Sequence, residues 1–123
     1  MSDFVIIIIG CLLIPVLTLI IGAVMKNDPP ERINYAYGYR TRRSMKNQDT
    51  WEFAHELCGK IWVVVGSVML VISLAAMIIS MVAGRLENAA VWIVSINVVV
   101  MILSSIPVEV ALARTFDKDG NRK

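Results

Sequence analysis

Three long apolar blocks are the feature that most restricts what this chain can fold into. They cover residues 4–25, 59–83 and 89–113, and none contains more than one charged side chain. A helix rises ~1.5 Å per residue, so about 20 apolar residues cross the ~30 Å hydrocarbon core of a bilayer. The sequence therefore predicts an all-α membrane protein with three transmembrane helices, in one membrane domain over residues 1–123.

The composition supports this interpretation, because 57% of the residues are hydrophobic and only 18% are charged. A water-soluble domain would interrupt its apolar residues with polar faces at helix or strand period. The first block also differs from a cleaved signal peptide, which has a cationic start and a shorter apolar core. We expect it to stay in the protein as a permanent helix.

Basic residues are concentrated in the loop over residues 26–58 and in the tail over residues 114–123. The connection between the second and third blocks carries only Arg85, and the N-terminus carries no Lys or Arg. Because Lys and Arg favour the cytoplasmic side of a membrane, we expect a cytoplasmic loop and a cytoplasmic tail. The predicted topology is N-terminus out and C-terminus in.

The loop is longer than the 2–8 residues, roughly, of a simple helix connection, which indicates structure of its own. Residues 33–41 alternate in polarity, which favours an extended segment with one aromatic face. Asn47 or Asp49 can cap a helix, and Glu52 follows Asp49 at the spacing of a capping box. We therefore expect a short amphipathic helix at the inner surface that runs or bends into the second span.

Small residues recur every seven positions in the second block, at Gly59, Gly66, Ser73 and Ser80. Small side chains let membrane helices approach closely, and a seven-residue repeat keeps one seam facing a partner. We expect this helix to be central, touching the other spans or a second subunit, and we predict a homo-oligomer. Chance scatter of small residues is the alternative.

Several residues inside the spans are unusual for a lipid environment. Pro15 and Pro107 each remove a backbone donor, so we expect a kink at both. Asn97, Ser104 and Glu109 lie at membrane depth, where polar groups face the protein interior or a water-filled path. The simpler interpretation is that Asn97 makes an interhelical hydrogen bond and that Glu109 reaches water or a basic loop residue.

The loop also carries a cationic cluster, formed by Arg40, Arg42, Arg43 and Lys46. Such a cluster suits an anion, whether a lipid phosphate, a carboxylate of another loop or an acidic partner segment. Alternatively, it is only a topology signal in contact with anionic lipid. The net charge of +2 leaves no broad basic face, so we expect no direct nucleic acid binding.

Residues suited to catalysis or metal binding are scarce. Cys11 and Cys58 are too far apart along the predicted spans to form a disulfide, and His55 is the single histidine. We find no Ser, His and acid set and no glycine-rich phosphate loop in the sequence. We expect no enzymatic activity, no catalytic residue, no metal and no cofactor.

A polar stretch that begins in the loop and ends at the start of the second block is similar to a family signature. "GYRT", then "RSMKN", then "TW", an Ala and "GK" before an apolar span resemble the signature of the SdpI family. These bacterial membrane proteins give immunity to a secreted sporulation-delaying killing peptide. The resemblance covers residues 34–62 by motif and departs at Arg42, where the family has Pro, and at His55, where it has Asn. Longer members carry a further membrane region in front, so the chain resembles a short form.

The resemblance implies a multi-pass protein of the bacterial cytoplasmic membrane that neutralises a peptide toxin and signals to a cytoplasmic repressor. In physical terms, Gly38 would allow a tight bend, Arg40 and Arg43 would pair with acidic groups, and Trp51 would anchor the loop under the bundle. The positions carried over as a binding site are Gly38, Tyr39, Arg40, Thr41, Arg43, Ser44, Lys46, Asn47 and Trp51.

A second class of function stays open from the residues themselves. A small oligomeric transporter, or a membrane protein that binds anionic lipid, would use Asn97, Ser104 and Glu109 along a path and the arginines to engage the anion. The residues favour anionic lipid as a partner, and the resemblance implies a peptide toxin and a cytoplasmic repressor as further partners.

Overall fold

The computed structural model describes residues 2–123, which form helices α1 (Ser2–Asn27), α2 (Gln48–Val82), α3 (Leu86–Leu103) and α4 (Ser105–Thr115). Three helical segments, with α3 and α4 taken together, are long and apolar enough to cross a membrane. The prediction of three apolar helices of membrane-spanning length is confirmed. Within the described residues there is no β-strand, only an isolated antiparallel bridge between Phe116 and Arg122.

The predicted short loop helix is not a separate element. Residues 48–58 are helical, but they form the first three turns or so of α2, which continues without a break to Val82. Asn47 caps α2 by accepting from the Thr50 N–H at 2.9 Å, and the Thr50 hydroxyl accepts from the Asn47 N–H at 3.0 Å. The capping box is therefore Asn47 with Thr50, and not Asp49 with Glu52, because Asp49 already lies inside α2.

Helix α2 is central and contacts α1, α3 and α4. A side chain at Gly59 would lie 2.5 Å from the backbone nitrogen of Lys26, and one at Gly66 would lie 2.6 Å from that of Leu19. Gly22 on α1 is packed equally tightly, against the backbone of α2. The part of the seam formed by Gly59 and Gly66 therefore packs on α1, since only glycine allows the two backbones to approach this closely.

The third span is divided at Ser104, between α3 and α4. Pro107 has no N–H to donate to the carbonyl of Leu103, so the helical ladder is interrupted there, as the sequence predicts. Nearby hydroxyls bond to the backbone, with Ser104 donating to the Met101 carbonyl at 2.5 Å.

At Pro15 the outcome differs, because α1 continues through the proline. The missing N–H frees the carbonyl of Cys11 four residues earlier. The side-chain amide of Asn97 on α3 donates to this carbonyl at 3.4 Å and to the Ser73 hydroxyl of α2 at 3.0 Å. Asn97 therefore links all three spans deep in the bundle, as the interhelical interpretation expects.

Apolar side chains cover the outside of the spans, and Val64, Ile79, Val82 and Ile102 are each at least 60% exposed. A surface this apolar is typical of contact with lipid rather than water. At one end of the bundle the apolar surface stops and charged residues take over. We call this part the polar end; it consists of the polar loop (residues 28–47), the first turns of α2 to Cys58, helix α4 and the tail (residues 116–123).

Candidate functional site

Gly38 lies at the centre of the polar end, in a position that only glycine fits. Its φ angle is +115°, a region that side chains rarely adopt. An added Cβ would lie 2.7 Å from Nε2 of His55 and 3.0 Å from Cγ of Pro30. The expected tight bend at Gly38 is therefore present, and it brings the following residue onto His55.

His55 is buried and holds two parts of the polar end together. Its Nε2 accepts from the backbone N–H of Tyr39 at 2.9 Å, and its Nδ1 lies 2.7 Å from the carbonyl oxygen of Trp51. One ring nitrogen accepts and the other donates, which is the arrangement of a neutral imidazole. His55 thus serves as a structural link at the position where the family signature has Asn.

Trp51 anchors the polar loop, as expected. Its side chain is completely buried, its ring lies against that of His55 with centroids 4.1 Å apart, and its indole N–H donates to the Pro30 carbonyl at 2.7 Å. Buried indole groups need such a partner, because an unpaired donor in the interior is costly. The contact ties the start of the polar loop to α2.

Thr41 and Ser44 form a hydrogen-bonded turn that shapes the next part of the loop. The Thr41 N–H donates to the Ser44 hydroxyl at 2.8 Å, and the Ser44 N–H donates to the Thr41 hydroxyl at 3.2 Å. Ser44 is fully buried, and its carbonyl accepts from the Thr50 hydroxyl at 3.0 Å. These side chains are therefore engaged in holding the loop on α2.

Glu109 joins the loop to α4. The Tyr39 hydroxyl donates to Oε1 of Glu109 at 2.7 Å, and Nε of Arg43 lies 3.8 Å from Oε2. Burial and the hydrogen bond to this carboxylate raise the pKa of Tyr39 above its usual range. Tyr39 is therefore a neutral donor, and Glu109 reaches a basic loop residue, as one interpretation of the sequence expects.

Unlike Arg43, the loop residues Arg40 and Lys46 form no ion pair among the described residues. Arg40 is exposed and donates to the backbone carbonyl of Tyr35, so the acidic partner expected for it is absent among the described residues. Lys46 is also exposed. It borders a cleft of about 420 Å³ together with Arg42, Arg43, Glu109 and, from the tail, Lys118.

The C-terminal tail folds back onto the polar loop. The side chain of Asn47 donates to the Gly120 carbonyl at 2.7 Å, and the Arg122 guanidinium makes two 2.8 Å hydrogen bonds to the carboxylate of Asp49. The Phe116 ring is buried and packs edge-on against Phe53 with centroids 5.4 Å apart. The tail is therefore part of the site, which sequence reasoning did not predict.

The comparison with protein families decides what this chain is. A family model described as the SdpI/YfhL protein family matches residues 31–109. The chain belongs to the SdpI/YfhL family. It is a multi-pass membrane protein, and the matched residues run from the polar loop through α2 and α3 into α4. The resemblance expected from the signature is confirmed, and the tail lies beyond the matched residues.

A curated relative agrees with this assignment. The chain is 42% identical over 53 residues to a Bacillus subtilis (strain 168) protein described as uncharacterized protein YfhL. The alignment covers 43% of this chain and 48% of the relative, so the chain spans about half the length of the curated relative it matches. No solved structure matches significantly.

Most signature positions of the SdpI/YfhL protein lie close together at the polar end, but they face in two directions. Gly38, Ser44 and Trp51 are packed inside, whereas Arg40, Arg43 and Lys46 are exposed.

The three tyrosines of the loop do not share one face. Tyr39 is buried, whereas Tyr35 and Tyr37 are 87% and 57% exposed. The predicted single aromatic face is therefore wrong, because the chain turns here instead of running straight. Asn34 causes the turn, since its side chain accepts from two backbone N–H groups, those of Ala36 and Tyr37, both at 2.9 Å.

The three intramembrane polar residues lie at separate places. Asn97 lies in the middle of the bundle and borders an apolar groove between α2 and α3. Ser104 bonds to its own helix at the break, and Glu109 borders the cleft at the polar end. Each is hydrogen-bonded inside the protein, and Asn97 and Glu109 border different clefts.

Proposed function

We propose that this SdpI/YfhL protein is an integral membrane immunity protein that neutralises a secreted antimicrobial peptide toxin and signals to a cytoplasmic regulator. Family membership supports the immunity role. The basic residues of the loop and tail support a cytoplasmic polar end, in the membrane of a bacterial cell. The proposed role is binding, with no bond made or broken in the partner.

One observation carries this proposal. The signature forms a compact element whose interior is fixed by Gly38, His55 and Trp51, and this element presents Tyr35, Tyr37 and Arg40 at its surface. Tyrosine and arginine are enriched among the residues that dominate protein interfaces. A rigid support under an exposed aromatic and cationic edge favours binding, because little conformational freedom is then lost when a partner docks.

The transport alternative has less support. Asn97 and Ser104 are occupied by internal hydrogen bonds, and Glu109 lies in a different cleft from Asn97. Binding of anionic lipid is compatible with the immunity role.

The test is survival of a sensitive bacterium challenged with a sporulation-delaying peptide. Cells would express the intact chain, an Arg40→Ala and Arg43→Ala double variant, or Arg32→Ala as a control that removes an exposed charge from the same loop. We expect protection from the intact chain and from Arg32→Ala, and loss of protection in the double variant at equal membrane abundance. Protection that survives the double substitution would contradict a role for these two arginines.

Signalling is tested separately with Tyr37→Ser, which removes an exposed ring without disturbing the packed interior. We expect this variant to protect cells but to recruit less of a cytoplasmic repressor to the membrane fraction after toxin challenge. Unchanged recruitment would place the signalling surface elsewhere.

A further inference from the structure

The cleft between the polar loop, α4 and the tail has an unusual charge balance. Arg42, Arg43 and Lys46 from the loop and Lys118 from the tail line it, together with two acids, Glu109 and Asp117. Its volume is about 420 Å³. Four cations face two carboxylates across one small space.

Both carboxylates are already engaged. Glu109 accepts from the Tyr39 hydroxyl and lies beside Arg43. Asp117 is the acceptor for two backbone N–H groups of the tail, those of Asp119 at 2.9 Å and Asn121 at 3.0 Å. Neither acid forms an ion pair with the other three cations of the cleft.

The remaining cations lack an anionic partner. Among the described residues, Arg42, Lys46 and Lys118 make no side-chain hydrogen bond and no ion pair, and all three are exposed. Like charges held around one cleft repel each other, and an anion placed between them relieves that repulsion. Arginine and lysine together suit a phosphate group, since the guanidinium binds two oxygens and the ammonium adds a point charge.

The position of the cleft indicates where the phosphate comes from. On α4, Ile106 and Val110 are 52% and 41% exposed and belong to the apolar lipid-facing surface, while the exposed residue one turn further is Arg114. On α1 the exposed surface likewise changes from apolar at Val24 to charged at Lys26. The cleft therefore lies where the apolar surface ends, which is the level of lipid headgroups.

We propose that this cleft binds the phosphate group of one anionic lipid, with Arg42, Lys46 and Lys118 as its ligands. The site is built partly from the tail, which contributes Lys118 and lies beyond the family-matched residues. The proposal is independent of immunity, because lipid binding is measured without a toxin.

The test is native mass spectrometry of the purified full chain taken from vesicles of phosphatidylcholine and phosphatidylglycerol. We expect one retained phosphatidylglycerol per protein. Arg42→Gln with Lys46→Gln is expected to weaken retention about tenfold or more, the scale of charged hydrogen bonds lost, and Lys118→Gln to weaken it less. Arg32→Gln, a charge removed from the same loop but outside the cleft, is expected to retain the lipid like the intact chain.

Other outcomes would overturn the proposal. Equal loss in Arg32→Gln would mean a diffuse basic surface. Displacement of the lipid by inorganic phosphate, or equal binding of inorganic phosphate by protein from phosphatidylcholine vesicles, would assign the cleft to a soluble anion. Preference for an acidic peptide over phosphatidylglycerol would assign it to a protein partner. Thermal unfolding of each variant checks the fold, and Lys118→Gln tests the cleft from the tail side if the loop variants are unstable.

Discussion

Replacing Gly38 by alanine tests the packing of the polar end most sharply. The substitution places a methyl group 2.7 Å from Nε2 of His55, at a backbone φ of +115°. Either the histidine moves and loses its hydrogen bond from the Tyr39 N–H, or the backbone moves and the bend opens. Both routes disturb the element that presents the family signature.

The size of the effect follows from three contributions. A non-glycine residue at this φ costs about 1–3 kcal/mol, and a methyl group forced into a packed site costs about 1–3 kcal/mol. The lost hydrogen bond adds about 0.5–1.5 kcal/mol. We therefore expect Gly38→Ala to lower the free energy of unfolding by about 3 kcal/mol or more.

The assay is unfolding by dodecyl sulfate in mixed micelles, followed by tryptophan fluorescence. Gly84→Ala is the matched control, because Gly84 also has a positive φ, +71°, but no atom lies within 4 Å of an added Cβ. It shows the cost of a side chain at a positive φ without a close contact, about 1–2 kcal/mol. Equal destabilisation by the two substitutions would refute the contact between Gly38 and His55.

Three further predictions concern the bundle, the loop and the topology. Asn97→Leu, which removes the bond to Ser73, should lower the free energy of unfolding in micelles by about 1 kcal/mol, and no loss would contradict the interhelical role. The pKa of Tyr39 is raised in the folded state, so its contribution to stability is complete below the ordinary tyrosine pKa of about 10 and is lost as the pH rises above that value. Tyr39→Phe lacks the bond to Glu109, so its free energy of unfolding should decline less between neutral and alkaline pH than that of the intact chain. A reporter fused after Lys123 should be active in the cytoplasm, and activity only outside would overturn the orientation.

The parts of the fold that depend on continuous patterns were predictable from sequence. A membrane requires long apolar segments, so the three spans can be located from composition alone. The seam through Gly59 and Gly66 was also readable, because close helix packing requires small residues at a regular spacing. Asn97 was readable as an interhelical contact, since an amide in lipid needs a partner.

The polar end was harder, because contacts between distant parts of the chain decide it. The bond from Tyr39 to Glu109 joins residues 70 positions apart, and the pair of Arg122 with Asp49 joins residues 73 apart. No local pattern encodes either. Arg40 was expected to meet an acid but meets a backbone carbonyl. His55, which links the loop to α2, was considered in the sequence as a catalytic or metal-binding candidate and as a departure from the signature, and not as a structural link.

The most direct test of the proposed immunity is a killing curve for a sensitive bacterium exposed to a sporulation-delaying peptide, with and without this chain at verified membrane abundance. The account predicts that cells expressing the chain survive peptide concentrations that kill cells carrying the empty vector. Identical killing curves would contradict the immunity role and bring lipid binding at the polar end forward as the main function.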